Sequence, residues 1–253
     1  MAEPTNRLRV AAVVRALRPV TGPINRVIDI ACGGGAYRTA VARALRLERT
    51  RFVPVDRQYA CTGGYRLNHP DATPTLADVT RLPFASGAFD LALCLDIVEH
   101  LDDDAAFVRD VAQLVRPGGW VLLSTQNSRS LEHVIGLSTA ALRGRRWTGW
   151  DPTHVRFYDA PALRRLVSEA GLETVTFSGT YFVPFHLPAR LVSWPLERLG
   201  LRRAAALAHR IVQWPFYALN GWFERRAATA VATCGFGIVV LARKPPSPAV
   251  ISS

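Results

Sequence analysis

Four stretches of the chain are apolar almost without interruption: RVIDIA (26–31), RFVPVD (51–56), FDLALCLDIV (89–98) and WVLLSTQ (120–126). Before the first runs NRLRVAAVVRAL, stopped by Pro19, and between them run YRTAVARALR and later DDDAAFVRDVAQLVRPGG, whose apolar residues recur at helical spacing. A strand that is apolar on both faces has to be covered on both, and amphipathic helices in the connections are what cover it. TPTLAD (73–78) reads as a shorter strand in the same series. The pattern predicts an α/β fold, a doubly wound and mostly parallel sheet with helices on either side.

Such a sheet binds ligands beyond the carboxyl ends of its strands, so the polar residues that follow each strand are the ones to read. After the first come Asp29, Ala31, Cys32 and the triple glycine Gly33, Gly34, Gly35. Three glycines in a row lose much conformational entropy on folding, which suggests that a ligand lies against bare main chain there. The dinucleotide fingerprint would need a third glycine at 38, where the chain has Arg38, and there is no phosphate-binding G-x-x-x-x-G-K-[ST] loop. Asp56 ends the second strand, 23 residues beyond Gly33, where a carboxylate can accept from a ribose diol. Asp78 and Val79 follow the third, and the fourth runs into DIVEHL.

VIDIACGGG, VPVD, ADVTRLPFASGAFDLALCLDIVEHL and LVRPGGWVLLSTQN, in this order and spacing, resemble the class I S-adenosylmethionine-dependent methyltransferases, in particular the O-methyltransferases of the ubiquinone pathway. The likeness is close over about residues 26–127 and looser over 151–182 and 235–243. It implies one Rossmann-like methyltransferase domain spanning 1–253, with a seven-stranded sheet and S-adenosylmethionine as cofactor. By the same resemblance Gly33 and Gly35 admit the cofactor to the backbone, and Asp29 orders the loop or reaches the amino group. Asp56 with Arg57 holds the ribose, Asp78 and Val79 read the adenine, and Leu95 lies against the cofactor. Ala31 stands where the family has its first glycine, which predicts altered packing of the loop with binding retained. Asp56 and Asp78 also have a plainer reading, as aspartates that cap loops through their own side chains.

For chemistry, Asp96, Glu99 and His100 form D-x-x-E-H after the fourth strand, and His154 opens HVRFYDAPALRRLVSEAG, in which Asp159 reads as a helix N-cap and Gly171 as the stop. The resemblance extends to metal-assisted enzymes, the ubiquinone-pathway type and the small-RNA 3′-terminal 2′-O type, which carry E-x-x-E-H and a later histidine. That implies a divalent cation such as Mg held by Asp96, Glu99, His100 and His154, with Asp96 one methylene shorter than the family's glutamate. Without a metal, His100 and His154 are the catalytic candidates, His154 as general base, and Glu99 is a helix cap. His69, His133, His186 and His209 have no partner pattern and read as surface or packing residues.

Residues 128–157 occupy the place of a substrate cap, with Trp147, Trp150, Arg145 and Arg146 either at its mouth or simply ending a helix. Between LETVTFSGTYF (172–182) and GFGIVVLARKP (235–245) lies an unusually long insertion, 183–233, with three of the six tryptophans and seven arginines. Leu207, Ile211, Trp214 and Trp222 recur in it at helical spacing, with Pro195 and Pro215 as breaks. Two readings stand: an amphipathic layer that closes a hydrophobic pocket, or a surface that meets the membrane interface. Both point to an apolar small molecule or lipid as acceptor.

Charge is uneven. Residues 1–127 hold 15 basic and 13 acidic side chains, whereas 128–253 hold 16 and 7, so the second half attracts anions. An RNA 2′-O-methyltransferase would use that charge, but the aromatics follow helical spacing and not a strand platform, so nucleic acid is disfavoured. A non-catalytic, membrane-associated cofactor-binding protein is the other alternative. Cys32, Cys61, Cys94 and Cys234 fall at unpatterned spacings, which together with an N-terminus lacking an apolar signal core predicts a cytoplasmic protein with free thiols. Residues 244–253 read as a disordered tail.

Overall fold

The computed structural model describes residues 4–47, 51–149, 151–180, 186–226 and 234–246. In chain order the elements are α1 (Pro4–Ala16), β1 (Arg26–Ile30), α2 (Arg38–Ala44), β2 (Arg51–Asp56), α3 (Tyr59–Asn68), β3 (Thr75–Leu76) and β4 (Phe89–Leu95). A 3₁₀ turn (Val98–His100) follows, then α4 (Asp104–Leu114), β5 (Val115–Gln126), α5 (Leu131–Leu142), α6 (Ala160–Glu169), β6 (Glu173–Thr180), α7 (His186–Arg198), α8 (Arg202–Arg226) and β7 (Gly237–Arg243).

The seven strands form one sheet in the order β3-β2-β1-β4-β5-β7-β6. All neighbours are parallel except β7, which runs antiparallel to both β5 and β6. The order reverses between β1 and β4, and the carboxyl ends of those two strands open the crevice in which this kind of sheet binds ligands. Every residue of β4 is buried. Side chains on one of its faces join a core with α4 and α6, including Phe107, Val111 and Leu163. Those on the other, Leu91, Leu93 and Leu95, pack with Ala12 and Val13 of α1, Leu17 just after it and Val41 of α2. Full burial of each such side chain contributes about 1.5–3 kcal/mol, which is why the apolar runs dominate the fold.

The ends of the helices follow local chemistry. Asp103 accepts from the Ala106 amide at 2.8 Å to start α4, and Asp159 from Ala162 at 2.9 Å to start α6. Gly171 closes the latter at φ +75°. At two places the structure departs from the sequence reading. Residues 59–68 form a helix despite Gly63 and Gly64, whose low helix propensity breaks the pattern. And α4 stops at Leu114, so Pro117, Gly118 and Gly119 lie inside β5 instead of ending a helix. There Val115 pairs with Phe89 and the register slips before Leu91 meets Trp120, a bulge that tolerates proline.

At the opposite end of the sheet Asp90 accepts from the Asn25 and Arg26 amides, both at 2.8 Å, and from the Arg116 guanidinium. Its carboxyl is held below the usual carboxylate range despite burial, by Arg116 and those two amides.

Candidate active site

The first half of the site is the bend after β1. Ala31 takes φ +56°, Gly33 +51° and Gly35 +74°, and the turn closes with the Gly35 amide donating to Cys32 O at 2.9 Å. The Cys32 amide donates across to Val55 O at 3.0 Å, which brings the bend beside the end of β2. There Asp56, buried, accepts from the Gly33 amide at 3.0 Å on one oxygen and from the Gln58 amide at 2.8 Å on the other. Asp56 therefore caps both loops, while each oxygen keeps a lone pair for a further donor.

The glycines do different work. A Cβ built on Gly33 would meet nothing within 4 Å, so its main chain faces open space. At Gly35 it would lie 2.6 Å from His69 and 2.9 Å from Tyr65. Gly35 is thus required by α3, whose Asn68 and His69 side chains reach the Gly34 and Gly35 carbonyls at 2.8 and 2.9 Å. This gives His69, left without a role by the sequence reading, a place in the loop. Asp29 lies buried beneath the bend, and desolvation, with Asp56 nearby, pushes its pKa up to about 7. Asp78 is exposed and accepts from the Thr80 amide and hydroxyl at 2.9 and 2.8 Å, the loop-capping geometry. Val79 and Leu95 are buried and Arg57 is exposed.

The second half follows β4. Asp96 takes φ +55°; its amide donates to Ser124 O at 3.0 Å, and it accepts from Ser124 Oγ at 2.9 Å. Its other oxygen pairs with Arg9 of α1 at 3.0 Å. Asp96 thus has its carboxylate engaged elsewhere and stands outside the cluster that Glu99, His100 and His154 form. Those three bring ligand atoms within 4.8 Å of one another, and the two imidazole rings lie 4.7 Å apart. Glu99 is 1% exposed, and its oxygens make no hydrogen bond of good geometry. Desolvation, reinforced by Asp96, pushes its pKa up to about 8. His154 is buried, its Nδ1 makes no hydrogen bond of good geometry, and burial followed by His100 lowers its pKa against the opposing pull of Asp151 and the Thr148 main chain, so the ring is neutral at pH 7. His100 Nδ1 is held by Thr153 Oγ1 at 2.8 Å, and Thr153 in turn donates to Asp151 at 2.6 Å.

A far segment of chain completes the cluster because it is fastened to the 3₁₀ turn. The Val155 amide donates to Glu99 O at 2.9 Å, Tyr158 Oη donates to Asp104 at 2.5 Å, and Arg156 pairs with Asp104. Behind His154, Gly149 at φ +73° leaves no room for a side chain: a Cβ would lie 2.9 Å from both Gln126 Oε1 and His154 Nδ1. Trp147 packs on Gly136 and donates from its ring to His133 Nδ1 at 3.3 Å. It therefore braces α5, with Arg145 and Arg146 exposed beside it. Trp150 lies outside the described residues.

Arg9, Ser124, Gln126 and Gly149 are site residues that the sequence reading missed. Only Gly149, a glycine among tryptophans, carried a local signal; the others depend on which strand ends adjoin. The gap enclosed by Arg9, Tyr37, Asp96, Ser124 and Gln126 is about 10 Å³, no more than one water occupies. A separate cavity of about 650 Å³ is bordered by Leu17, Pro23, Asn25 and Leu45 at the amino ends of the strands, away from this chemistry.

Residues 4–176 match the family model described as a methyltransferase domain. The chain is a class I S-adenosylmethionine-dependent methyltransferase. It is 27% identical over 190 residues to a ubiquinone biosynthesis O-methyltransferase of Thiobacillus denitrificans, covering 68% of this chain and 74% of that one. It is 30% identical over 168 residues to one of Burkholderia pseudomallei, covering 64% and 70%. A putative methyltransferase of Bacillus halodurans shares the fold at TM-score 0.59 and 16% identity, over 93% of this chain and 98% of that one. The [4+2]-cyclase SpnF does so at TM-score 0.57 and 18% identity, over 95% and 82%.

The residues present fit the cofactor. Gly33 offers main chain with no side chain in the way, Asp56 has spare acceptor capacity for a diol, and Asp29 is a buried acid that a nearby ammonium would ionise. The methyltransferase match ends inside β6, which leaves α7, α8 and β7 beyond it.

Proposed function

We propose that the methyltransferase methylates a hydroxyl oxygen of an apolar small molecule or lipid. When bound, S-adenosylmethionine supplies a methyl activated by its sulfonium; the chain's part is to aim the acceptor and take its proton. The observation that carries the reading is the cluster of buried Glu99 and His154 with half-buried His100 at the carboxyl end of β4. His154 is a neutral imidazole whose Nδ1 makes no hydrogen bond of good geometry, and Glu99 likewise offers two oxygens without good partners to the acceptor hydroxyl. His154 would take the acceptor's hydroxyl proton as its oxygen gains the methyl, the sulfur–methyl bond breaking to leave a neutral thioether. The relatives in Thiobacillus and Burkholderia are O-methyltransferases.

A second reading concerns the same three residues. One carboxylate and two imidazoles are a donor set suited to a divalent cation, and a ligand set of Glu99, His100 and His154 replaces the expected one that began at Asp96. Mg is a poor match for two imidazoles, whereas Zn, Fe or Ni suit them.

The test is incubation with isotopically labelled S-adenosylmethionine and a panel of phenols, hydroxyquinones and lipid alcohols, read by mass spectrometry. Label on oxygen is the expected result, with His154→Ala lowering kcat about 10²–10⁴-fold and cofactor affinity unchanged. Label only on nitrogen or carbon, or full turnover by His154→Ala, overturns the reading. Loss of activity in chelator that a divalent ion restores supports the metal; full activity in chelator removes it.

A further inference from the structure

The helical hairpin of α7 and α8 has its polarity reversed. Its inner face buries Ser193, Gln213 and Asn220, at 3%, 5% and 0% exposure. Gln213 is tied to His209 at 2.8 Å and to Tyr217 at 3.3 Å, one turn away on either side. The outer face shows Leu207, Ile211, Trp214 and Trp222 to solvent, Ile211 at 62% and Trp214 at 72%. On α8 the exposed positions 207, 211, 214, 218 and 222 follow steps of four, three, four and four, a single stripe. A hairpin bathed in water on that side would be arranged the other way round, and exposed apolar patches of this extent mark a binding face.

Charge says what the face binds. Residues 186–226 contain seven arginines and two glutamates, a net +5. Arg203 and Arg210 fall on the same stripe as Leu207 and Trp214, and are exposed. Arg198 lies over the Trp194 ring at 4.3 Å and Arg226 over Trp222 at 5.0 Å. Indole, aliphatic side chain and guanidinium alternating along one face suit the headgroup region of an anionic bilayer. No described helix is long and apolar enough to cross a membrane, so the segment would lie on the surface.

Topology places the hairpin at the site. It is inserted between Thr180 and Gly237, which are paired across β6 and β7, and Gly237 pairs with Gln126 at the end of β5. That edge is the one that carries the chemistry. α8 also packs against α1, which brings Arg9 to Asp96.

We infer that the outer face of α7 and α8 is a docking surface for anionic lipid membrane, seating the mouth of the active site at the bilayer. This binding does not depend on which acceptor is methylated. The test is flotation of the full chain with vesicles of phosphatidylcholine alone and with 30–50% phosphatidylglycerol, roughly the anionic content of a strongly charged leaflet. The protein should float with the anionic vesicles, release as salt rises, and shift its tryptophan emission to the blue. Ile211→Glu with Trp214→Glu should lower partitioning at least tenfold, and Arg203→Glu with Arg210→Glu likewise, while calorimetry shows S-adenosylmethionine bound as before. Unaltered cofactor binding separates loss of docking from loss of fold. Failure to float at any anionic fraction overturns the inference. So does equal binding to neutral vesicles, a dimer by sedimentation that Ile211→Glu with Trp214→Glu dissolves, or RNA that binds the same face and displaces the vesicles.

Discussion

Ala31 holds a left-handed backbone that its methyl makes unfavourable by about 1–2 kcal/mol relative to glycine. The methyl also packs on the sheet core, and adding a glycine loosens the unfolded chain, so the two effects nearly offset. Ala31→Gly should therefore leave stability within about 1 kcal/mol, whereas Ala31→Val, β-branched at φ +56°, should cost about 2–3 kcal/mol in chemical denaturation. The sequence reading, that an alanine here alters the loop yet leaves it usable, rested on size alone; the sign of φ lies in the fold. Asp56 was legible from its spacing to Gly33, but its second duty was not. Asp56→Ala should weaken S-adenosylmethionine binding by about 1–3 kcal/mol through the unpaired ribose and the two released amides, measured by calorimetry. Asp29 adds a pH dependence. Its folded pKa, about 7, exceeds the ordinary aspartate value of 3.8, so the folded state holds the proton more tightly. The resulting stability is complete below about pH 4 and is lost as pH rises to about 7. Asp29→Asn should flatten that slope in denaturant melts of the apo protein taken across pH 4–8; an unchanged slope would assign it to another group.

At the scale of elements, β1, β2 and β4 were legible because continuous apolar runs of strand length have one stable placement, at the centre of a covered sheet. The third helix was hidden by Gly63 and Gly64, and contact requires neither: a Cβ on Gly63 would meet nothing within 4 Å, and one on Gly64 would face the Gly34 Cα at 4.0 Å, an ordinary van der Waals distance. The helix is tied to the glycine loop through Asn68 and His69, and this tertiary contact outweighs propensity. The connection of Glu99 to His154 was readable only as two separate histidine signals. What joins them is the clamp of Tyr158, Arg156 and Asp104, in which no residue type is unusual. Tyr158→Phe removes the hydroxyl that donates to Asp104 and should cost about 1–3 kcal/mol of stability. With the 151–158 segment loosened, kcat should fall and cofactor affinity stay, the split expected of a positioning residue. A parallel loss of cofactor binding would show instead that the clamp supports the whole crevice.

For the whole molecule, the question is whether the sheet needs the hairpin that interrupts it. Thr180 and Gly237 face each other in the β6–β7 ladder, so their chain ends are already adjacent when everything between is removed. Deleting 183–233 leaves five residues, 181, 182 and 234–236, and hairpin loops of that length are ordinary in antiparallel pairs. Asn127 keeps its contacts in such a chain, since it donates to the Gly235 and Phe236 carbonyls at 2.8 and 2.7 Å. The residues around Gly33 and Asp56 lie on the far side of β4 from the deletion. The shortened methyltransferase should thus melt cooperatively and bind S-adenosylmethionine within a few-fold of the full chain. It should fail in two ways that separate the hairpin's roles: no flotation with anionic vesicles, and no turnover of an apolar acceptor presented in them. If turnover of the same acceptor dissolved in detergent micelles is retained, the hairpin delivers the enzyme to its substrate. If that too is lost, the hairpin also forms part of the acceptor pocket through the packing of α8 on α1, and the two outcomes are told apart by one assay with two carriers.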